Sequence, residues 1–208
     1  MRKLALILPA LLLQGCAYVQ NGTFDYAENS PDLNYLPIGI PYLAGGHGTG
    51  VPITDNVSIT AAHLATYDYS KVIAYHPDCD IALIAADNTD KEKLKIGTVF
   101  ENQKVSSYGF GLSSTEIVSH GQFIMNVTLD GYPKCVYSLS TSAQKSGMSG
   151  GAVVNDKNEL VGVIHGVGFN PPIDNITGKP IKLPRYSYFV SMNFIRGWLE
   201  QNVPELAK

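Results

Sequence analysis

The sequence predicts an all-β sandwich or barrel fold with one helix at its C-terminal end. Three observations predict it. Ten short runs are rich in Val, Ile, Tyr and Thr, residues that suit a pleated, half-buried surface. Gly, Asn, Asp and Pro turns separate them. Near the end the period changes from that of strands to that of a helix. The runs cover 51–53, 57–60, 71–75, 81–85, 104–108, 123–129, 136–139, 152–154, 160–164 and 186–190. After them, Ser191 can cap a helix whose apolar residues Met192, Ile195, Trp198 and Leu199 recur three and four apart. Its apolar face, with Trp198 as an anchor, is expected to pack on the barrel. Residues 170–183, with Pro171, Pro172 and Pro180 and with Pro184 just beyond, read as a long exposed loop.

A chain of 208 residues, 45% hydrophobic and 16% charged, can bury a sizeable core and does not read as disordered. The net charge of −3 comes with no basic run, which argues against a nucleic-acid partner. His47, His76 and His120 show no metal-ligand spacing, so no metal is expected, and no cofactor is expected either.

The first residues read as a targeting segment. Arg2 and Lys3 precede an apolar run from Leu4 to Leu13, too short to span a bilayer as a resident helix. Gly15-Cys16 follows and resembles the lipobox of bacterial lipoproteins. The resemblance implies a signal peptide over 1–15 and lipidation of Cys16, hence a membrane partner through the lipid. Ala17 after the cysteine implies the outer membrane, facing the periplasm. Residues 16–37 then read as the lipidated Cys and a polar tether. The remaining Cys79 and Cys135 permit one disulfide in an oxidising compartment, and two buried thiols fit the sequence equally well.

Three strings carry chemistry. Gly147-Met148-Ser149-Gly150-Gly151 offers a hydroxyl nucleophile in a glycine turn, where the backbone N–H groups of Gly147 and Ser149 can face a developing oxyanion. Thr60-Ala61-Ala62-His63 ends a strand with a base suited to neutral pH. Asp80-Ile81-Ala82-Leu83 sets an acid at a strand edge, where it can orient an imidazole. Asp78 competes, and Asp80 is preferred because it abuts the strand.

In the order His, Asp, Ser, these strings resemble the motifs of the chymotrypsin-like (trypsin-like) serine peptidases. The resemblance covers about residues 38–200. It implies two six-stranded β-barrels with a C-terminal helix over 38–208, the lobes meeting near 100–115 and the active site between them. It also implies a serine endopeptidase acting on protein or peptide substrates, with His63, Asp80 and Ser149 as the triad. Three departures stand out. Only 17 positions separate His63 from Asp80, so the first barrel must be trimmed. Met148 replaces the acid that receives a new N-terminus in digestive relatives. The usual cystine framework is missing. Residues 137–141 and 161–166 resemble the pocket of glutamyl endopeptidases, which implies Thr141 and His165 as substrate-pocket residues reading Glu or Gln. His165 sits one position late, so it reads equally as a support of the triad or a solvent-facing residue. The rival functions are a catalytically silent trypsin-fold module binding peptides or envelope proteins, and a hydrolase of esters.

Overall fold

The computed structural model describes residues 19–40, 44–111, 114–173 and 178–207. The signal segment over 1–15 and Cys16 lie outside the described residues. A short strand β1 (Asp25–Tyr26) is followed by β2 (Asn34–Ile40), β3 (Ala44–Pro52), β4 (Val57–Thr60), a four-residue helix α1 (Ala62–Ala65), β5 (Val72–Tyr75) and β6 (Ala82–Ala85). Then come β7 (Lys104–Phe110), β8 (Glu116–Leu129), β9 (Tyr132–Ser140), β10 (Ala152–Asn155), β11 (Leu160–Gly168), β12 (Tyr186–Ser191) and the helix α2 (Met192–Asn202). All ten predicted runs lie in or against these strands. No helix among the described residues is long and apolar enough to cross a membrane.

Two antiparallel sheets form the two lobes. The first has five strands in the order β2-β3-β4-β6-β5. The second runs β1-β8-β7-β10-β11-β12-β9, and β8 also pairs with β9. That extra pairing closes six strands into a barrel and leaves β1 as an added edge. Among the described residues, the expectation of six strands in each lobe therefore holds for the second lobe, and the first has five. The trimming follows from the short interval between His63 and Asp80, which leaves room for β5 alone between α1 and β6.

Sequence and burial agree strand by strand. In β9, Cys135, Tyr137 and Leu139 share the face that enters the apolar cluster, and the intervening Ser138 is buried on the other. In β6, Ala82, Leu83 and Ile84 are all buried, which explains an apolar run without alternation. Ser191 caps α2 by accepting the Asn193 N–H at 3.1 Å. Met192, Ile195 and Leu199 are buried, while Trp198 is half-buried and tilted against His76 of the first lobe, ring centroids 5.1 Å apart. One apolar cluster runs through both lobes, from Val51, Ile59 and Leu83 to Tyr137, Val163 and Ile195. The lobes thus share a core, and their relative placement is set by packing.

The tether expected over 17–37 is corrected from residue 19 onward. β1 pairs with β8, and β2 begins at Asn34. Asn21 explains why a polar segment is held. Its Oδ1 accepts the Gln144 N–H at 2.8 Å, and its Nδ2 donates to the Tyr186 carbonyl at 3.1 Å and to Ser187 Oγ at 2.9 Å. Asn, Asp and Ser favour loops in sequence, yet the same groups satisfy buried backbone when tertiary partners are in reach. The long loop over 170–183 is also partly paired, with Ile181 N–H donating to the Pro172 carbonyl at 2.9 Å.

Candidate active site

Asp80 lies two residues before β6 and is 1% exposed. The residue before it, Cys79, forms a disulfide with Cys135 of β9. The acid at the edge of lobe one is thereby tied covalently to lobe two. His63 sits in α1, directly after β4. Its backbone N–H donates to Asp80 Oδ1 at 2.8 Å, and its Nδ1 meets Asp80 Oδ2 at 2.7 Å. An ionised carboxylate only accepts, so Nδ1 carries the proton and Nε2 of the neutral ring keeps its lone pair. The His63 side chain is 41% exposed, whereas that of Asp80 is fully buried.

A second imidazole shares the same carboxylate oxygen. His165 Nδ1 lies 2.6 Å from Asp80 Oδ2, and its ring stacks obliquely on Tyr137 with centroids 4.7 Å apart. Tyr132 meets the ring edge to face, centroids 5.4 Å apart. The local cause is a β-bulge. Between β11 and β12 the register steps from Ile164↔Phe189 to Gly166↔Tyr188, leaving His165 as the extra residue. A bulge re-aims a side chain, which is how this histidine turns to Asp80. Burial pushes the Asp80 carboxyl up. The hydrogen bonds from His165 and His63, with their electrostatic attraction, outweigh it and hold Asp80 well below the usual carboxylate range. The Asp80 N–H reaches the Tyr137 hydroxyl at 3.4 Å. Burial raises Tyr137, so this phenol stays neutral.

The His63, Asp80 and His165 ligand atoms lie within 4.8 Å of one another. The two Nδ1–Oδ2 separations are hydrogen-bond lengths. Ligands 2.0–2.2 Å from a tetrahedral zinc stand about 3.3–3.6 Å apart. The arrangement is that of two donors on one acceptor.

Ser149 lies in the turn before β10. The turn closes through Gly151 N–H to the Met148 carbonyl at 2.9 Å. Gly147 and Gly150 have φ of +97° and +78°, values that favour glycine. A Cβ at Gly150 would lie 2.1 Å from the Thr49 carbonyl oxygen, and one at Gly147 would lie 2.3 Å from His47 Nε2. Lobe one holds the turn through Thr49. Its N–H donates to the Ser149 carbonyl at 2.9 Å and its hydroxyl to the Gly147 carbonyl at 2.8 Å. Among the described residues, the N–H groups of Gly147 and Ser149 donate to no backbone carbonyl. The Ser149 hydroxyl donates to the His165 carbonyl at 3.2 Å rather than to His63.

Thr141 lies elsewhere in the second lobe, accepting from the Gln122 N–H at 3.0 Å. No hydrogen bond joins it to His165, which is turned to Asp80. Sequence reading gave Asn21 no part in the fold and placed Tyr137 only within the pocket-like segment 137–141, because their contacts are long-range and carry no local motif. Thr49 stood in the Gly48-Thr49-Gly50 string before the histidine motif, and that string was its only signal.

A family profile described as a trypsin-like peptidase domain matches residues 50–163, more than half of the chain and all three motif strings. The chain belongs to this trypsin-like peptidase family. Solved structures share the fold of this trypsin-like peptidase. An HtrA-type protease, AlgW, with a tripeptide superposes with a TM-score of 0.67 at 13% identity, covering 84% of this chain and 61% of that one. The Rv3671c protease from M. tuberculosis, in its active form, gives 0.66 at 16% identity over 85% and 83%. The MamO protease domain from Magnetospirillum magneticum gives 0.57 at 18% identity over 79% and 95%. The trypsin-like peptidase described here spans only about 60% of the length of the HtrA-type chains. Direct comparison of sequences finds no characterised protein that matches it.

Proposed function

We propose that this trypsin-like peptidase is a serine endopeptidase acting on proteins or peptides. The observation that carries the reading is the buried Asp80 carboxylate holding His63 by Nδ1 and backbone N–H, which leaves Nε2 available as a base. In this reading His63 removes the Ser149 proton as the hydroxyl attacks the scissile carbonyl, and returns it to the leaving amine. Asp80 fixes the tautomer and stabilises the imidazolium. The free N–H groups of Gly147 and Ser149 receive the oxyanion. A rotation of the Ser149 side chain from the His165 carbonyl to His63 precedes attack. Free-enzyme hydrogen bonds of this kind often tighten only in the complex.

Cys16 is the proposed lipid attachment site, placing the enzyme on a bacterial envelope membrane, in the outer membrane facing the periplasm. The test of the chemistry is a fluorophosphonate probe on the parent and on Ser149→Ala. Labelling of the parent that vanishes in the variant supports the reading. A folded, unlabelled parent overturns it in favour of a peptide-binding module on the same fold. The anchor is tested by metabolic labelling with a fatty acid, which must be lost in Cys16→Ala.

A further inference from the structure

Two imidazoles converge on one carboxylate oxygen, and only one of them belongs to the proposed triad. His165 Nδ1 lies 2.6 Å from Asp80 Oδ2, as close as the 2.7 Å of His63 Nδ1. The rings of His63 and His165 stand edge to face, centroids 6.1 Å apart. His165 is also the bulged residue whose carbonyl receives the Ser149 hydroxyl at 3.2 Å. One residue therefore touches both the acid and the nucleophile through different atoms.

We propose that His165 is a positioning residue for the peptidase reaction, a second Nδ1–H donor that locks Asp80 and, by its own protonation, gates the site at low pH. The inference rests on the endopeptidase reading above. As a neutral donor, His165 spreads the charge of Asp80 over two hydrogen bonds and stops the carboxylate from rotating away from His63. Once His165 takes a second proton, a full positive charge stands beside the position where the His63 imidazolium forms. The two cations then compete for one carboxylate. The groups facing His165 are Asp80 and His63 from lobe one and Tyr132 and Tyr137 from β9. Burial raises both tyrosines, so they stay neutral through the working range. Asp80 is held ionised.

A residue with a merely structural role at this position would lower stability without altering how activity depends on pH.

The test uses the full chain with His165→Phe, which removes the donor, and His165→Asn, whose amide restores a donor that cannot become cationic. Proton NMR of the free protein must show two low-field imidazole N–H signals in the parent and one in each variant. A single signal in the parent overturns the proposal whatever the protein's activity. Against a peptide substrate, kcat of His165→Phe falls roughly 10–100-fold, the cost of a lost hydrogen bond to a charged group, with little change in KM. His165→Asn recovers most of that loss. The acid limb of kcat/KM falls with two protons in the parent and with one in His165→Asn. Equal rates and equal acid slopes in parent and variants overturn the proposal. Thermal melting confirms that His165→Asn is folded when His165→Phe is not. A parent that resists the fluorophosphonate probe sinks the endopeptidase reading, and the NMR count still decides the placement of His165.

Discussion

The two halves of the site are held in place by different means. The His63–Asp80 half is fixed by polar and covalent ties: a carboxylate shared by two imidazoles, a backbone N–H onto its other oxygen, and the Cys79–Cys135 disulfide. The Ser149 half is held through backbone groups, from Thr49 on one side and from residues 19–21 on the other. Ser146 N–H donates to the Val19 carbonyl at 2.8 Å and Asn21 N–H to the Gln144 carbonyl at 3.2 Å. Each half is also secured by the opposite lobe, since Asp80 is gripped by β9 and β11 and the Ser149 turn by β3. A charged group needs compensating donors wherever it is buried, whereas an oxyanion turn must keep its N–H groups unspent. The difference in fastening follows from the difference in chemistry.

The comparison can be broken most severely at the acid. Asp80→Asn presents an amide to both imidazoles and inverts the donor pattern, so kcat should fall roughly 10⁴-fold, as measured with a chromogenic peptide. Ser149 labelling should slow in parallel, while the serine turn itself stays folded. Paired Cys79→Ser and Cys135→Ser substitutions open a link across 56 positions. They should lower unfolding stability by about 3–4 kcal/mol, read from the urea midpoint. Activity per folded molecule should drop as well, because Asp80 loses its covalent neighbour.

A smaller effect is expected on the serine side. Asn21→Ala removes one acceptor and two donors from the strap under residues 143–146. It should cost about 1–3 kcal/mol of stability and reduce fluorophosphonate labelling. The low-field signals of the His63–Asp80 half should stay in place. Movement of those signals would show that the halves are not separately fastened. The smallest effect is on acid stability. Asp80 sits below its ordinary value in the folded chain, so it adds stability above the unfolded value near pH 3.9. That contribution is lost as pH falls towards the folded value. Melting temperature should therefore decline below about pH 4 in the parent, and less steeply in Asp80→Asn.

Much of this was legible in the chain. The strands of the second lobe and the helix after Ser191 follow from local patterning, and His63, Asp80 and Ser149 each sit in a string whose neighbours suit their chemistry. The structure joins His63 to Asp80 directly and sets Ser149 beside them through His165. Residues 19–37 were not legible, because a polar segment carries no period and its hydrogen bonds go to residues distant in sequence, Asn21 to Gln144 lying 123 positions apart. Thr141 and His165 were grouped by resemblance into one pocket, and the structure sends them to different partners.

By itself the sequence determined the fold class, the order of the chemical groups and the trimmed first lobe, since these depend on periods, turns and short intervals along the chain. Only the tertiary structure decided that Cys79 and Cys135 meet, that the N-terminal segment straps the serine loop, and that His165 turns to Asp80. The last depends on one unpaired residue between β11 and β12. A bulge is invisible in a string of apolar letters, because it arises from how two strands fail to match.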